Sequence, residues 1–139
     1  MQEWEQQLTN AGCRITGPRR AIMQVFMRSD LPLSPQEILE RAQTTYHKLG
    51  LVTVYRTLNL LMKLNLIRRV HRDNGCHGYV ATSPGHCHAL ICRHCGRAVE
   101  FPGEDDLHVL IERVEARTGY RVDDHLLQLH GLCAACQKR

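Results

Sequence analysis

Aromatic residues are scarce in this 139-residue chain, which has one Trp, four Tyr and two Phe. Its interior must be built from Leu, Ile and Val, enough for one ordinary domain or two small ones. Long apolar runs are missing too, and none approaches the roughly 18 residues of a membrane span. The opening residues Met1–Leu8 are polar and lack the apolar stretch of a signal peptide. These absences exclude a membrane partner and point to a cytoplasmic, reducing location. In that setting the seven cysteines speak for metal or redox chemistry rather than a disulfide framework.

Charge is unevenly placed. Residues 1–82 carry 11 Lys and Arg against 6 Asp and Glu, whereas residues 83–139 carry 7 against 8. A basic N-terminal half beside a nearly neutral half rich in Cys and His implies a division of labour, with an anionic partner for the first.

Gly12, Gly17 and Pro18 punctuate the start, so a short helix is predicted at about 2–10. Pro18 suits the first turn of a second helix. Ser34-Pro35-Gln36-Glu37 has the order of a capping box, and its helix is predicted to run to about Lys48. In Leu51–Leu64, Val54, Leu58 and Leu61 form a core stripe, while Tyr55, Arg56, Asn59 and Lys63 project from the other side. Residues 67–82 read as a hairpin turning at Asp73-Asn74-Gly75. Helices followed by a basic hairpin give the order of a winged helix-turn-helix. After a hinge at Ser83-Pro84-Gly85, strands are predicted at His86–Ile91, Arg97–Phe101 and Arg121–His130, with a helix over Asp105–Thr118. The expected fold class is α+β: residues 1–82 a winged-helix DNA-binding domain, 83–85 the hinge, and 86–139 a small α+β unit for dimerisation and metal binding.

Cys92-Arg-His-Cys95 and Cys133-Ala-Ala-Cys136 supply four thiolates in two close pairs. Two such turns complete a closed tetrahedral zinc site with bonds of about 2.3 Å. The 37 intervening residues suffice for a strand, a helix and a returning strand. Redox pairs are the alternative, but neither motif follows a thioredoxin-like strand and opens a helix.

His86 and His88 share one face of a strand by its period of two. With Glu100, His108 and His125 they are candidate ligands for a second, exchangeable metal. An imidazole-dominated set favours Zn2+ over Fe2+ or Mn2+, which take more carboxylate. At the head of the candidate recognition helix stands Thr53-Val54-Tyr55-Arg56. There Tyr55 offers a ring to a thymine methyl, and Arg56 a fork for guanine or phosphate. Arg14, Arg19 and Arg20 are placed to grip phosphates or a minor groove.

The run GLVTVYRTLNLL, the hairpin containing Tyr79, HCH, CRHCGRAVEF, TGYRVDDH and GLCAAC together resemble the ferric uptake regulator (Fur) family over nearly the whole chain. The resemblance implies a homodimer that binds double-stranded, pseudo-palindromic operator DNA when a regulatory metal closes the hinge. It places Arg14, Arg19, Thr53, Tyr55 and Arg56 at the DNA and Cys92, Cys95, Cys133 and Cys136 at a structural zinc. His86, His88, Glu100, His108 and His125 fall on or beside two further metal sites. The family's inter-domain site usually takes a histidine and an acidic residue where this chain has Pro32 and Val80. Counting forward from Tyr79 groups His86 and His88 with Glu100, whereas counting back from Cys92 groups them with His108 and His125. Cys76, His77 or Cys87 stands ready to complete the set, and a sulfur ligand would favour a zinc sensor resembling Zur.

The expected function is a metal-dependent repressor with no catalytic activity and no small-molecule substrate. A zinc deaminase would need HxE and PCxxC, and neither occurs here. A peroxide sensor would need more carboxylates near the histidines.

Overall fold

The computed structural model describes residues 1–103 and 107–138. Four helices come first: α1 (Gln2–Asn10), α2 (Gly17–Met27), α3 (Pro35–Gln43) and α4 (Leu51–Lys63). An antiparallel hairpin follows, β1 (Ile67–His71) with β2 (His77–Ala81). The rest of the chain forms β3 (Cys87–Cys92), β4 (Ala98–Pro102), α5 (His108–Thr118), β5 (Gln128–Gly131) and α6 (Ala134–Gln137). The fold is α+β, a winged helix-turn-helix followed by a small three-stranded unit of β-β-α-β order. Asp105, the expected start of the last long helix, lies outside the described residues.

The helical half has its own core, in which Trp4, Leu8, Ile22, Phe26, Ile38, Val54, Leu58 and Leu61 are all buried. The stripe read on α4 is the face it buries, with Thr57 beside it. Each such side chain withdrawn from water stabilises the fold by about 1.5–3 kcal/mol. α3 opens on the expected capping box: Ser34 Oγ accepts the Glu37 N–H at 3.2 Å, and Glu37 Oε2 accepts the Ser34 N–H at 2.6 Å. It stops at Gln43 rather than near Lys48. Thr44 Oγ1 turns back onto the Arg41 carbonyl at 2.7 Å, and Gln43 Nε2 donates to the Leu49 carbonyl at 2.9 Å. The chain thereby swings Leu49 into the core, which a continued helix would not do.

The hairpin pairs Ile67 with Ala81 and His71 with His77, and Gly75 supplies the left-handed turn at φ +76°. Its base is held to the helices by the Leu33–Tyr79 bridge. Its turn is held by Arg72, whose Nη1 lies 2.9 Å from Glu37 Oε2.

In the second sheet the order is β4-β3-β5, with β3 antiparallel to β4 and parallel to β5. β5 covers four residues, not the run from Arg121 that periodicity predicts. Upstream, the Val122 N–H goes to Glu115 Oε1, the His125 N–H to Asp124 Oδ1 and the Arg121 guanidinium to Asp123. The first two of these bonds take N–H groups a ladder would use. The two halves meet along an apolar seam in which Val70 and Val80 of the hairpin cluster with Ala89 and Ile91 of β3. Among the described residues Val99 and Leu129 on the outer side of the second sheet stay exposed, and no residue of α5 is buried.

Candidate metal centres and nucleic-acid interface

The end of β3 and the start of α6 bring four sulfurs together. Contrary to the sequence reading, Cys133-Ala-Ala-Cys136 does follow a strand and open a helix, though α6 has only four residues and both CxxC pairs meet at one point. The Sγ atoms of Cys92, Cys95, Cys133 and Cys136 all lie within 4.8 Å of one another, with Cys95 and Cys133 at 3.9 Å. Tetrahedral zinc with ordinary thiolate bonds needs sulfurs about 3.8 Å apart, so the spacing fits. The electrostatics also fit a cation. Backbone N–H groups of Cys95 and Cys133 aim at Cys92 and push its thiol down to about 6. Cys136 is pushed up to about 12, chiefly by its bond to Cys133 and by burial. Four thiolates crowded in one place repel each other, and a divalent cation removes that conflict.

A second cluster forms at the opposite end of β3. Ring nitrogens of His86, His88 and His125 converge within 4.8 Å, with His86 Nε2 2.9 Å from His125 Nε2. β3 starts at Cys87 rather than His86, so His86 stands in the bend just before it, its ring 4.9 Å from that of His88 between centroids, and the Phe101 ring backs His88 at 5.4 Å. Gly103 forms the floor: its N–H donates to the His86 carbonyl at 2.8 Å, and a Cβ there would overlap both imidazoles. All three histidines belong to the C-terminal unit.

Glu100 and His108, the other expected ligands, are engaged elsewhere. Glu100 pairs in register with Ala89, so it points to the opposite face from His88. There Glu100 Oε2 accepts the Ser83 N–H at 2.6 Å, and Oε1 faces Arg68 Nε at 3.7 Å. His108 is exposed on α5 and pairs with Glu112 one turn on, at 3.0 Å. Cys76 is exposed in the hairpin turn, and the His77 ring meets the His71 ring tilted at 58°, 4.6 Å apart between centroids. Cys87 lies on β3 with its side chain turned from the imidazole face, as alternation requires. Pro32 packs against Gly78 and Val80 lies in the apolar seam, so apolar packing fills both positions. Two residues that shape the region went unread in the sequence. Gly103 looks like a strand end and Arg68 like one more basic residue of the hairpin; only the pairing register reveals either.

The helical half carries a groove of about 530 Å³ lined by Gly12, Arg14, Thr16, Arg19, Thr53 and Arg56 among others. Three arginines and no carboxylate line it, a surface suited to phosphate. Tyr55 stands beside it on α4, 47% exposed. Arg20, by contrast, is paired with Glu5 at 2.8 Å.

A winged helix with a cationic groove, joined to a sheet bearing thiol and imidazole clusters, is the build of a metal-responsive transcription regulator. The sequence model of the ferric uptake regulator family matches residues 10–130, and the chain belongs to that family. The ferric uptake regulation protein of Legionella pneumophila is 34% identical over 140 residues, spanning 97% of this chain and 99% of that one. The holo XcZur crystal structure superposes with a TM-score of 0.78 at 27% identity, covering 99% and 96% of the two chains. A zinc uptake regulator complexed with zinc and DNA gives a TM-score of 0.79 at 23% identity, covering 98% and 91%, a likeness of fold. Proteins of this family regulate transcription and are not enzymes. Among the described residues, no helix is long and apolar enough to cross a membrane.

Proposed function

We propose that this protein is a homodimeric, metal-switched repressor that binds pseudo-palindromic operator DNA in the cytoplasm and controls metal-homeostasis genes. In this reading residues 1–82 bind DNA, 83–85 act as the hinge, and 86–139 dimerise and hold metal. Cys92, Cys95, Cys133 and Cys136 carry a structural zinc, coordinatively closed and without a catalytic water. His86, His88 and His125 carry the regulatory metal.

The observation that carries the reading is the convergence of three imidazoles within 4.8 Å at the start of β3. Imidazole suits Zn2+ better than the carboxylate-rich sets of Fe2+ or Mn2+. With Glu100 bonded to Ser83 and ion-paired with Arg68, the donor set is poorer still in carboxylate. Arg14 and Arg19 of the groove grip phosphates, while Thr53 and Tyr55 start the helix that reads the major groove and Arg56 forks onto guanine or a phosphate there. A second copy covers the open face of the C-terminal sheet and α5, setting two such helices on successive half-sites.

The test is operator binding under buffered Zn2+, Fe2+ and Mn2+, on a duplex selected by the protein itself from a random library. Expected are one tightly held zinc and one exchangeable metal per chain, with Zn2+ giving the largest gain in DNA affinity. Affinity independent of every metal would defeat the switch. Arg56→Ala is expected to weaken specific binding by about 1–3 kcal/mol with the dimer intact. Unchanged affinity in that variant would remove Arg56 from the interface.

A further inference from the structure

The three candidate regulatory ligands all come from one unit, so metal bound to them does not tie the two halves together through its own coordination shell. Something else must carry its state to the helical half. At the junction stands Arg68, on the hairpin strand β1. Its Nη1 donates to the Cys87 carbonyl on β3, and its Nε faces Glu100 Oε1 on β4 at 3.7 Å. The other Glu100 oxygen accepts the Ser83 N–H of the hinge at 2.6 Å. One guanidinium and one carboxylate therefore link the hairpin, the hinge and two strands of the second sheet. Both side chains are largely withdrawn from water, 21% and 17% exposed. Glu100 Oε1 is sealed from solvent with no hydrogen bond of its own among the described residues, so the guanidinium is its compensating charge. Beside the pair lies the apolar seam of Val70, Val80, Ala89 and Ile91.

The carbonyl that Arg68 grips belongs to Cys87, the residue between His86 and His88. A cation held by the imidazoles on either side fixes the peptide that carries that oxygen.

We propose that Arg68 is the inter-domain latch: it holds the halves together through Glu100 and the Cys87 carbonyl, and it passes metal occupancy of the imidazole cluster to the DNA-binding half. Glu100 is the counter-ion of the latch, not a ligand of the metal. The inference rests on reading His86, His88 and His125 as the exchangeable site. Closure has a metal-free component, from the apolar seam and the latch, to which metal adds by ordering the latch acceptor. By linkage the coupling is reciprocal, so losing it removes the influence of each half on the other.

The experiment is hydrogen exchange of the full chain, structural zinc in place, with and without added Zn2+, in the native protein, Arg68→Gln and Glu100→Gln. In the native protein Zn2+ slows exchange at residues 86–88 and also in the hairpin strands 67–71 and 77–81, the latter by about tenfold, the scale of one hydrogen bond to a charged group. In both variants the slowing at 86–88 persists and the hairpin response vanishes. A hairpin response of native size in both variants overturns the latch. If Zn2+ alters exchange nowhere in the native protein, the metal reading fails and the metal-free comparison decides. Hairpin exchange about tenfold faster in Arg68→Gln then supports the latch, and an equal rate overturns it.

Discussion

Gly103 acts by what it leaves out. Its backbone passes so close to His86 and His88 that a methyl group would overlap both rings, while its N–H holds the His86 carbonyl at 2.8 Å. Gly103→Ala is expected to splay the imidazoles and weaken the exchangeable zinc at least about tenfold, the usual scale for disturbing the support of a ligand. The tightly held zinc should be untouched, because its sulfurs sit at the other end of β3. Competition against a chromophoric chelator, with total zinc counted per chain, reads both. An unchanged exchangeable affinity would show that the rings do not lean on Gly103. At this scale the sequence is legible where one element supplies the geometry. The CxxC spacing pairs the sulfurs, and the closeness of His86 and His88 in sequence brings their rings together although His86 lies just outside the strand. It is silent where two elements must be registered against each other. That Glu100 faces Arg68, on the sheet face opposite His88, follows from its pairing with Ala89, and no local pattern encodes that pairing.

Elements hold their places through a few polar ties, of which Glu37 has the most reach. Its carboxylate closes the capping box of α3 and grips Arg72 at the hairpin turn, so one side chain fixes both the start of a helix and the tip of the wing. Burial alone would raise its pKa; the Ser34 backbone N–H and the Arg72 guanidinium outweigh that and hold it below the ordinary 4.5. A carboxyl depressed on folding stabilises the native state above its unfolded pKa, and the contribution fades as pH falls through the lower folded value. Glu37→Gln is therefore expected to cost about 1 kcal/mol at neutral pH, a figure kept small because the pair is partly solvated. The gap from the native protein should narrow as pH drops below 4.5. Urea melts across that range check it, and a gap constant with pH would assign the effect to packing rather than to charge. Most element boundaries were readable because Gly, Pro and caps mark them. The exceptions have tertiary or local causes: α3 ends early so that Leu49 can plug the core, and β5 starts late because residues 121–125 bond within their own loop.

For the whole molecule, the largest unbalanced feature is the outer side of the C-terminal unit. Register places Val99 and Leu129 on either side of Leu90, all on one sheet face, and Val99 and Leu129 remain 49% and 44% exposed. α5 adds Val109, Leu110 and Val114, all exposed. Helical periodicity records that a face is apolar and never whether its cover comes from the same chain. Apolar surface on this scale, on a sheet and a helix together, marks an interface. An isologous contact with a second copy buries the same patch on each partner, and a stable one removes about 1,600 Å² in total. A carboxylate set in the middle of such a patch faces its own symmetry mate, so desolvation and like charge act together against association. The double variant Val99→Asp with Leu129→Asp is accordingly expected to sediment as a monomer while keeping its zinc and its helical content. Its operator affinity should fall about a hundredfold, because the second recognition helix no longer binds as part of the same molecule. Sedimentation velocity and a DNA titration measure the two effects separately. A variant that stays dimeric would move the interface away from this face, and a monomer with native operator affinity would mean that a single winged helix is enough to bind.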